Sequence, residues 1–370
     1  MRLKKLPTIS LFGKVCKSSN NKLEALNQVE GRGHRPSTPG NLSRQKTDIS
    51  LKKNMTTILI TGASGNLGSL LTQHILVNEP ELNLILMQHR TEISPDIRDN
   101  PRTEVRKADL SDSKSLTSCL EGVDSIVHFA GVLFQASPEV FLHQTNTEYF
   151  KNLVLAAKEK KINKVILISF PHVEGPTTRE FPAVGRLDGN PLSVHAKTRL
   201  EEEVHLFEEI ETPISLRVGM VYGKGILMID AAKWFARKWL LGVWREPTEI
   251  HLISKTDYCR AVTAAIKSKS ARGIYHVGDE GVDTLQTFLD YTCSVWGYKK
   301  PWRMPIWMIY FAAELFEFVS ELFGTASPLT KDFIDIGRVS YYGDTLSFRR
   351  ELLPDLTYTN CLAGIQELKI

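Results

Sequence analysis

The segment that most constrains the fold is a glycine-containing turn between an apolar run and a helical pattern. Residues 61–68 read Thr-Gly-Ala-Ser-Gly-Asn-Leu-Gly; they follow the apolar run 57–60 and precede the helix-like stretch 69–76. A strand, a glycine turn and a helix in that order form a cradle for dinucleotide phosphates, because the helix N-terminus offers free N–H groups and a positive dipole end. The spacing is G-x-x-G-x-x-G rather than G-x-G-x-x-G, but its context is the one that such a motif requires.

Each glycine of this turn has an expected use. Gly62 takes the tight turn, Gly65 lets the backbone approach a pyrophosphate, and Gly68 lets the helix pack closely on the sheet. We predict that the whole turn binds the cofactor, through Gly62, Ser64, Gly65, Asn66, Leu67 and Gly68.

The charge of the chain is unevenly distributed. Its 370 residues are 42% hydrophobic and carry a net charge of +4, but residues 1–54 alone hold 12 Lys and Arg against 3 Asp and Glu. We predict that residues 1–54 are a disordered basic extension outside the fold. Three explanations stay open: translation that starts at Met55, a transit peptide directed to an organelle, or a basic interaction arm. Without a transit peptide, the cytoplasm is the expected compartment.

Several function classes find no support in the sequence. The five cysteines are scattered and include no C-x-x-C pair, which argues against a disulfide framework or a structural zinc site, so we predict no metal. The sequence shows no signal peptide or transmembrane segment. Only the charge of the basic extension would favour nucleic-acid binding, so we expect no nucleic-acid partner. The oligomeric state stays open, a homodimer included.

From residue 55 to about 225, short apolar strands alternate with helical patterns. The predicted strands are 57–60, 82–87, 104–108, 125–129, 164–169 and 213–218. This alternation predicts an α/β fold: a Rossmann-type, doubly wound parallel sheet with helices on both faces, here the NAD(P)-binding domain.

The pattern changes after residue 225. Residues 226–250 and 279–370 are predicted to form a smaller, interleaved C-terminal substrate domain, while 251–278 return to the sheet through strands 252–254 and 273–277. All six tryptophans lie in this second half. Its apolar lining would form the cleft wall opposite the cofactor, where ligands of open α/β sheets bind.

Two amphipathic segments, 226–244 and 307–323, raise the question of membrane contact. We expect each to lay its apolar face on the second domain. In 307–323 the acidic stripe of Glu314, Glu317 and Glu321 opposes binding to an anionic lipid surface. Membrane-surface contact is therefore not favoured, although it stays open for the 226–244 segment, which combines tryptophans with Arg237 and Lys238.

Beyond the glycine turn, further motifs carry a family resemblance. They include Ala108-Asp109-Leu110, His128-Phe129-Ala130-Gly131, Asn146 before a helical stretch, and the run 217–223, Arg-Val-Gly-Met-Val-Tyr-Gly. Over almost all of residues 55–368 the chain resembles the short-chain dehydrogenase/reductase superfamily, in its extended branch of NAD(P)-dependent epimerases, dehydratases and reductases. The resemblance implies that Asp109 accepts the adenine amino group and Leu110 lies beside the ring. It also implies that Ala130 and Gly131 run along the ribose and pyrophosphate.

The end of the second strand bears on the choice of coenzyme. Dinucleotide folds place an acidic residue near this position to bind the ribose 2′-hydroxyl. Here the strand ends in Gln88-His89-Arg90, with no acid. His89 or Arg90 would instead pair with a 2′-phosphate, so we predict NADP rather than NAD as the cofactor.

The catalytic pattern departs from that of the family. The resemblance implies a Tyr four residues before a Lys that binds the nicotinamide ribose, but Ser193 stands four residues before Lys197. The assisting hydroxyl is also displaced, because Phe170 takes its expected position and Ser169 lies one residue earlier. His172 and His195 are substitutes with pKa values expected near neutrality. We predict Ser169, Lys197 and His195 as catalytic candidates, with Lys197 also a cofactor contact.

Two functions remain open. The first is an NAD(P)-binding oxidoreductase or epimerase-like enzyme whose small-molecule substrate is a hydrophobic or ring-containing carbonyl or alcohol, as Trp234, Trp239 and Trp307 favour. The second is a non-catalytic dinucleotide-binding protein, either a redox sensor or a structural subunit, which the absence of the tyrosine favours. The charged residues Arg199 and Glu201 to Glu203 beside Lys197 indicate a solvated helix face.

Overall fold

A computed structural model describes residues 55–131, 138–323, 327 and 329–369. The prediction for residues 1–54 lies outside the described residues.

The centre of the molecule is a parallel sheet. In the described ranges its strands are β1 (Thr56–Thr61), β2 (Leu82–Gln88), β3 (Thr103–Lys107), β4 (Ser125–His128), β5 (Lys164–Ser169), β6 (Thr212–Val218) and β11 (Gly273–Val277). They lie in the order β11-β6-β5-β4-β1-β2-β3. The predicted Rossmann-type fold is confirmed. Because β1 lies between β2 and β4, the chain reverses its winding direction at the carboxyl end of β1, the usual ligand position in such sheets.

Helices cover both faces of the sheet. The helices are α1 (Asn66–Asn78), α2 (Pro95–Arg98), α3 (Ser113–Cys119), α4 (Pro138–Leu142), α5 (Tyr149–Glu159), α6 (Val194–Glu209), α7 (Leu227–Arg237), α8 (Lys255–Lys267), α9 (Leu285–Val295), α10 (Ile306–Phe323), α11 (Lys331–Arg338) and α12 (Leu346–Glu351). Successive residues of a strand point to opposite faces, so Ile58 and Ile60 belong to one buried cluster and Leu59 to the other. Burial on both faces explains why the inner strands are mostly apolar, whereas the edge strand β3, Thr-Glu-Val-Arg-Lys, is largely polar and not the buried strand that the sequence predicts.

The second half of the chain adds three small two-stranded sheets. They pair β7 (Met220–Tyr222) with β10 (Leu252–Ser254), β8 (Gly242–Trp244) with β13 (Trp302–Met304), and β9 (Glu249–Ile250) with β12 (Asp283–Thr284). Of the two strands expected to return to the central sheet, β11 does so beside β6. The expectation for 252–254 is wrong, because these residues pair with β7 outside the central sheet.

The amphipathic helix α10 also differs from expectation. Its apolar residues were expected to pack on the second domain, and Ile309 and Ala313 do so. Trp307, Phe311 and Phe318, however, are largely exposed. No helix within the described ranges is long and apolar enough to cross a membrane.

Candidate cofactor and active site

The three glycines of the turn fulfil distinct geometric requirements. Gly62 has φ +67°, a value that favours glycine, and its carbonyl accepts a 2.9 Å hydrogen bond from the Gly65 N–H. A Cβ on Gly68 would lie 2.4 Å from the Gly62 carbonyl oxygen, so α1 could not approach the turn with a larger residue there. Gly65 is exposed, caps α1 and has φ −77°, which any residue can adopt. A glycine at position 65 thus keeps the space before the helix N-terminus free, as a bound phosphate requires.

The end of β4 lies directly beside this turn. The Thr61 hydroxyl oxygen accepts hydrogen bonds from the N–H groups of Phe129 and Ala130, at 3.2 and 3.3 Å. A Cβ on Gly62 would lie 3.0 Å from the Ala130 nitrogen. The fold therefore brings Ala130 and Gly131 next to the glycine turn, as the predicted ribose and pyrophosphate contacts require.

The side chains of the turn differ in whether they are free to contact a cofactor. Ser64 is exposed, and Leu67 packs partly against the core. The Asn66 amide donates to the Gly225 carbonyl at 2.6 Å and accepts from the Leu227 N–H at 2.9 Å. The Asn66 side chain thereby joins the turn to the start of α7. Only the backbone of Asn66 is left to contact a cofactor.

The residues assigned to the adenine end form a connected group. Asp109 accepts hydrogen bonds from the N–H and hydroxyl of Ser111, and its other carboxylate oxygen lies 3.0 Å from His89 Nε2. These bonds, the backbone one foremost, lower the pKa of Asp109. The cap of α3 is Asp112, so Asp109 is not used as a helix cap. Leu110 directly follows Asp109 after the carboxyl end of β3.

His89 is thus engaged by Asp109, whereas Arg90 is not. Arg90 is exposed at the end of β2, and within the described residues it has no ion pair or side-chain hydrogen bond. Of the two candidates for a 2′-phosphate, Arg90 is the one with its donors free.

The N-terminus of α6 holds the residues that replace the family's usual pair. Ser193 is buried, and its hydroxyl oxygen caps the helix by accepting from the Ala196 N–H at 3.1 Å. Lys197, one turn later, is exposed and makes no side-chain hydrogen bond or ion pair with any described residue. Ser193 is therefore occupied as a cap, while the Lys197 ammonium is free to meet a ligand.

Asp332 also reaches this helix end, and it is the titratable residue that the sequence analysis missed. Its carboxylate accepts a 3.2 Å hydrogen bond from the Val194 N–H. Burial raises the pKa of Asp332 to about 6. No local motif marks this residue, because it lies 138 positions further along the chain.

The end of β5 carries a buried hydroxyl, that of Ser169, followed by a cluster of three rings centred on Phe170. Ser169 is buried, and its Oγ has no hydrogen-bond partner among the described residues. The Phe170 ring stacks on His195 with centroids 5.1 Å apart and lies 5.5 Å from the His172 ring. Burial lowers the pKa of His172 to about 4 and that of His195 to about 3, so the expectation of values near neutrality is wrong. Both imidazoles are neutral at neutral pH.

The solvated helix face that the sequence indicated is only partly present on α6: Lys197 and Glu201 are exposed, but Arg199, Glu202 and Glu203 are buried. Arg199 and Glu202 are buried and joined by a 2.6 Å hydrogen bond. A Cβ on Gly131 would lie 3.1 Å from a terminal Arg199 nitrogen, so this guanidinium lies beside the cofactor side of β4. Burial raises the pKa of Glu202 to about 7.

A second buried ion cluster holds the loop before α6. Arg217 is fully buried, binds both Glu203 and Glu174, and donates to the Arg186 carbonyl at 2.7 Å. Glu174 in turn accepts backbone N–H groups of residues 184–186. The cluster fixes a loop that displays three exposed apolar side chains, Phe181, Val184 and Leu192. Leu192 immediately precedes Ser193, so the approach to the α6 N-terminus is apolar.

Comparison with known proteins adds independent support for the cofactor. The NAD(P)H-binding family matches residues 62–205. The chain is 22% identical to mouse (Mus musculus) sterol-4-alpha-carboxylate 3-dehydrogenase, decarboxylating, over 321 residues, which cover 81% of this chain and 83% of that protein.

Two solved structures share the fold. One is dTDP-glucose 4,6-dehydratase from Bacillus anthracis in complex with NAD (TM-score 0.66, 16% identity, 85% of this chain and 95% of that one). The other is UDP-glucuronic acid 4-epimerase from Bacillus cereus with UDP-glucuronic acid and NAD (TM-score 0.65, 18% identity, 85% and 98%). Together with the glycine turn, the matched family and the shared fold identify the chain as a protein with an NAD(P)-binding Rossmann domain.

Proposed function

We propose that the protein is an NADP-preferring oxidoreductase or epimerase-like enzyme that acts on a hydrophobic, ring-containing alcohol or carbonyl. The observation that carries the proposal is the ammonium of Lys197, which pairs with no described residue and stands on α6, between β5 and β6, at the position that the resemblance gives to the family's lysine. A cation that pairs with no described residue is available at this position to bind the hydroxyl groups of the nicotinamide ribose. The glycine turn fits the pyrophosphate, since a Cβ at position 65 would enter the space that the phosphates need.

In the proposed reaction the bound nicotinamide supplies or accepts hydride. Lys197 binds and orients the nicotinamide ribose. The unpartnered Ser169 hydroxyl donates a hydrogen bond to the substrate oxygen. Neutral His195, held by its stacking on Phe170, serves as a further hydrogen-bonding group and not as a proton donor. The buried cluster around Arg217 keeps the loop above this site in place.

The proton comes from Asp332 in this proposal. Ser193 cannot replace a phenol, because an aliphatic hydroxyl has too high a pKa and its oxygen is engaged as a cap. Asp332 lies at the same helix end and titrates near neutral pH. A carboxyl group with such a pKa can act as a general acid.

The substrate class rests on the apolar approach to the site. Phe181, Val184 and Leu192 expose apolar side chains on the loop that leads to Ser193. A sterol is the substrate named for the mouse relative, and it would suit such a rim. We therefore propose a fused-ring alcohol or ketone over a nucleotide sugar. The expected tryptophan lining contributes less, because Trp239 and Trp307 are exposed.

Lys197→Ala tests the proposal most directly. We expect kcat for NADPH-dependent reduction of a 3-ketosteroid to fall at least about a hundredfold, since the nicotinamide loses its ribose contact. The melting temperature should not change, because Lys197 is exposed and unpaired. Lys269→Ala, which removes another exposed lysine, is the control and should keep full activity. Equal turnover by the two variants would contradict the role of Lys197.

Arg90→Ala tests the coenzyme preference. Loss of a charged hydrogen bond to the 2′-phosphate should weaken NADPH binding by about 1.5–2 kcal/mol, roughly tenfold or more, and leave NADH binding unchanged. Fluorescence titration with both coenzymes measures the difference. An equal loss for NADH and NADPH would show that Arg90 does not select NADP.

Asp332→Asn tests the proton donor through the pH profile. A carboxyl group with a pKa of about 6 is protonated below that pH, so kcat/KM for ketone reduction should fall as the pH rises above 6. For alcohol oxidation the same group acts as a base, and the rate should rise through that pH. Asp332→Asn should remove this ionisation from the profile, whereas Asp335→Asn on the same helix should retain it. An unchanged profile in Asp332→Asn would exclude Asp332 as the donor.

A non-catalytic dinucleotide-binding protein is the second candidate, and one observation favours it. Both positions at which the family carries a catalytic hydroxyl group are altered. Phe170, which has no hydroxyl, stands at one of them and stacks on His195, and the hydroxyl of Ser193 at the other is used to cap α6. On this alternative Lys197→Ala would weaken coenzyme binding in a protein that turns over no substrate. Retention of NADPH without oxidation by ring-containing ketones would favour it.

A further inference from the structure

Helix α10 presents a continuous apolar face to solvent. The face is formed by residues spaced three or four apart, Trp307, Phe311, Leu315, Phe318 and Leu322, whose exposed fractions are 66, 64, 54, 64 and 69%. Such spacing aligns side chains along one side of a helix. Ile309 and Ala313, on the opposite side, are buried in the core. The helix thus has two apolar sides, of which the protein covers one.

The apolar face continues onto two neighbouring tryptophans. The Trp302 indole N–H donates to the Trp239 carbonyl at 3.0 Å, and both side chains are about 60% exposed, at 63 and 59%. The Lys299 ammonium lies 3.9 Å from the centroid of a Trp239 ring. Because β13 ends at Met304, just before α10 begins, this pair lies next to the first turn of the helix. We call Trp239, Trp302 and the five residues of α10 the aromatic surface.

The backbone at Trp239 is strained in a way that packing does not explain. Trp239 has φ +62° and follows the C-cap of α7, a position usually taken by glycine. The Leu240 N–H bonds to the Phe235 carbonyl at 2.9 Å, which completes a helix-ending motif. A bulky residue in the left-handed region is unfavourable, and its exposed side chain gains little from the protein itself. Such strain at an exposed residue indicates that the residue serves an external contact.

The charge around the tryptophans favours an anionic partner. Residues 237–246 and 299–307 hold six basic side chains and one acidic one: Arg237, Lys238, Arg245, Lys299, Lys300, Arg303 and Glu246. Asp290 pairs with Lys300 and Arg303, so it neutralises part of this charge. A hollow of about 330 Å³ is lined by both tryptophans and by three of these cations, Lys299, Lys300 and Arg303.

The acidic residues of α10 do not cancel this effect. Glu314 forms an ion pair with Lys331, and Glu317 accepts a hydrogen bond from the Lys331 N–H. Both are therefore directed to α11. Lys331 thus neutralises part of the charge of the acidic stripe, and the net positive charge around the tryptophans exceeds what remains.

We propose that the aromatic surface binds the face of a lipid bilayer that contains anionic lipids, with α10 lying in the interface plane. Tryptophans at an apolar boundary with adjacent cations are the pattern of interfacial membrane contact. Apolar side chains enter the acyl boundary, and the cations bind lipid phosphates. A partner protein would match the apolar face alone, whereas the exposed Arg237, Lys238 and Arg245 near the tryptophans are complementary to lipid phosphates. This inference goes beyond the proposed enzymatic function and does not depend on it.

Vesicle flotation with the full chain tests the proposal. We expect the protein to float with phosphatidylcholine vesicles that contain phosphatidylglycerol and to bind pure phosphatidylcholine more weakly. The double variant Phe311→Ser, Phe318→Ser should lower the partition coefficient roughly tenfold or more, because two large apolar side chains no longer enter the bilayer. The matched control is Val77→Ser, Leu362→Ser, which removes two exposed apolar side chains elsewhere and should bind as the wild type does.

Two further variants separate charge and strain from apolar contact. Lys238→Glu with Lys299→Glu should abolish the preference for phosphatidylglycerol, whereas Lys114→Glu with Lys269→Glu should retain it. Trp239→Gly should raise the melting temperature, because glycine relieves the positive φ, and should at the same time weaken vesicle binding. A variant that is more stable yet binds less cannot owe its defect to misfolding.

The proposal is overturned if the wild type does not float with either vesicle. It is also overturned if Phe311→Ser, Phe318→Ser binds vesicles like the wild type. Light scattering would then show whether that variant converts a dimer into a monomer, in which case a second copy of the chain covers this face.

Discussion

Gly65→Val is expected to abolish coenzyme binding while the protein remains folded. Gly65 has a backbone conformation that valine can adopt, and an added Cβ would meet only the Gly62 carbonyl oxygen, at 3.1 Å. The branched side chain would instead occupy the space in front of the α1 N-terminus, where a pyrophosphate binds. We expect NADPH and NADH affinity to fall by at least about 3 kcal/mol, more than a hundredfold.

Fluorescence titration measures this loss, and two neighbouring substitutions calibrate it. Gly65→Ala adds less volume and should weaken binding by a smaller factor. Gly68→Ala forces a Cβ to within 2.4 Å of the Gly62 oxygen, so it should lower the melting temperature as well. Unchanged NADPH affinity in folded Gly65→Val would refute the assignment of the glycine turn as the phosphate site.

Arg217→Met should lower the free energy of unfolding by about 3–5 kcal/mol at neutral pH. Arg217 is the cation between the buried carboxylates of Glu174 and Glu203. Its removal leaves Glu203 without an ion pair among the described residues, and leaves Glu174 with only His276 and the more distant, largely exposed Arg186, at 3.8 Å. Burial alone would favour the neutral acid, but the His276 hydrogen bond and the Arg217 charge lower the pKa of Glu174 to about 2. Methionine can fill the space and cannot replace the charge.

The pH dependence of this effect has a defined sign. In the wild type the stability gained from ionised Glu174 is present above the unfolded pKa and is lost as the pH falls towards 2. Without Arg217 the folded pKa should rise, so the stability deficit of Arg217→Met should be largest near pH 7 and shrink at acidic pH. Denaturant unfolding at several pH values measures the deficit. Arg98→Met, which breaks an exposed pair with Asp99, should show no measurable change, and a similarly stable Arg217→Met would contradict the account.

The cofactor half of the molecule was predictable because its signals are local. The glycine turn, the apolar run before it and the helix after it are contiguous in the sequence. Their order, and the expectation that they form a cradle for phosphates, can therefore be read from the local sequence. Most strands of the central sheet were predictable for a similar reason: all but the polar edge strand β3 contain a short apolar run, as burial on both faces requires. The strand Leu252–Ser254 is an apolar run like those of the central sheet. Its pairing with β7 instead of the central sheet depends on tertiary structure and could not be predicted from that run.

The chemistry around α6 was less predictable because it depends on distant residues. Glu203 appears solvated in sequence, yet it is buried because Arg217 on β6 lies beside it. Asp332 comes from a helix near the C-terminus, and no pattern links it to Ser193. Nothing in the local sequence of His195 is unusual, yet its pKa is lowered, chiefly by burial and further by the charge of Arg199, neither of which the sequence shows. The exposed side of α10 likewise could not be inferred, since an apolar helix gives the same sequence pattern whether the protein or an external surface covers it.

We propose that hydride transfer at this site proceeds without the usual tyrosine. The most direct measurement is the absorbance of NADPH bound to the full-length protein, followed after mixing with a panel of ring-containing ketones that includes 3-ketosteroids. The account predicts oxidation of bound NADPH by at least one fused-ring ketone, lost in Lys197→Ala. Tight NADPH binding with no oxidation by any member of the panel would contradict it and favour a protein that holds the dinucleotide without using it.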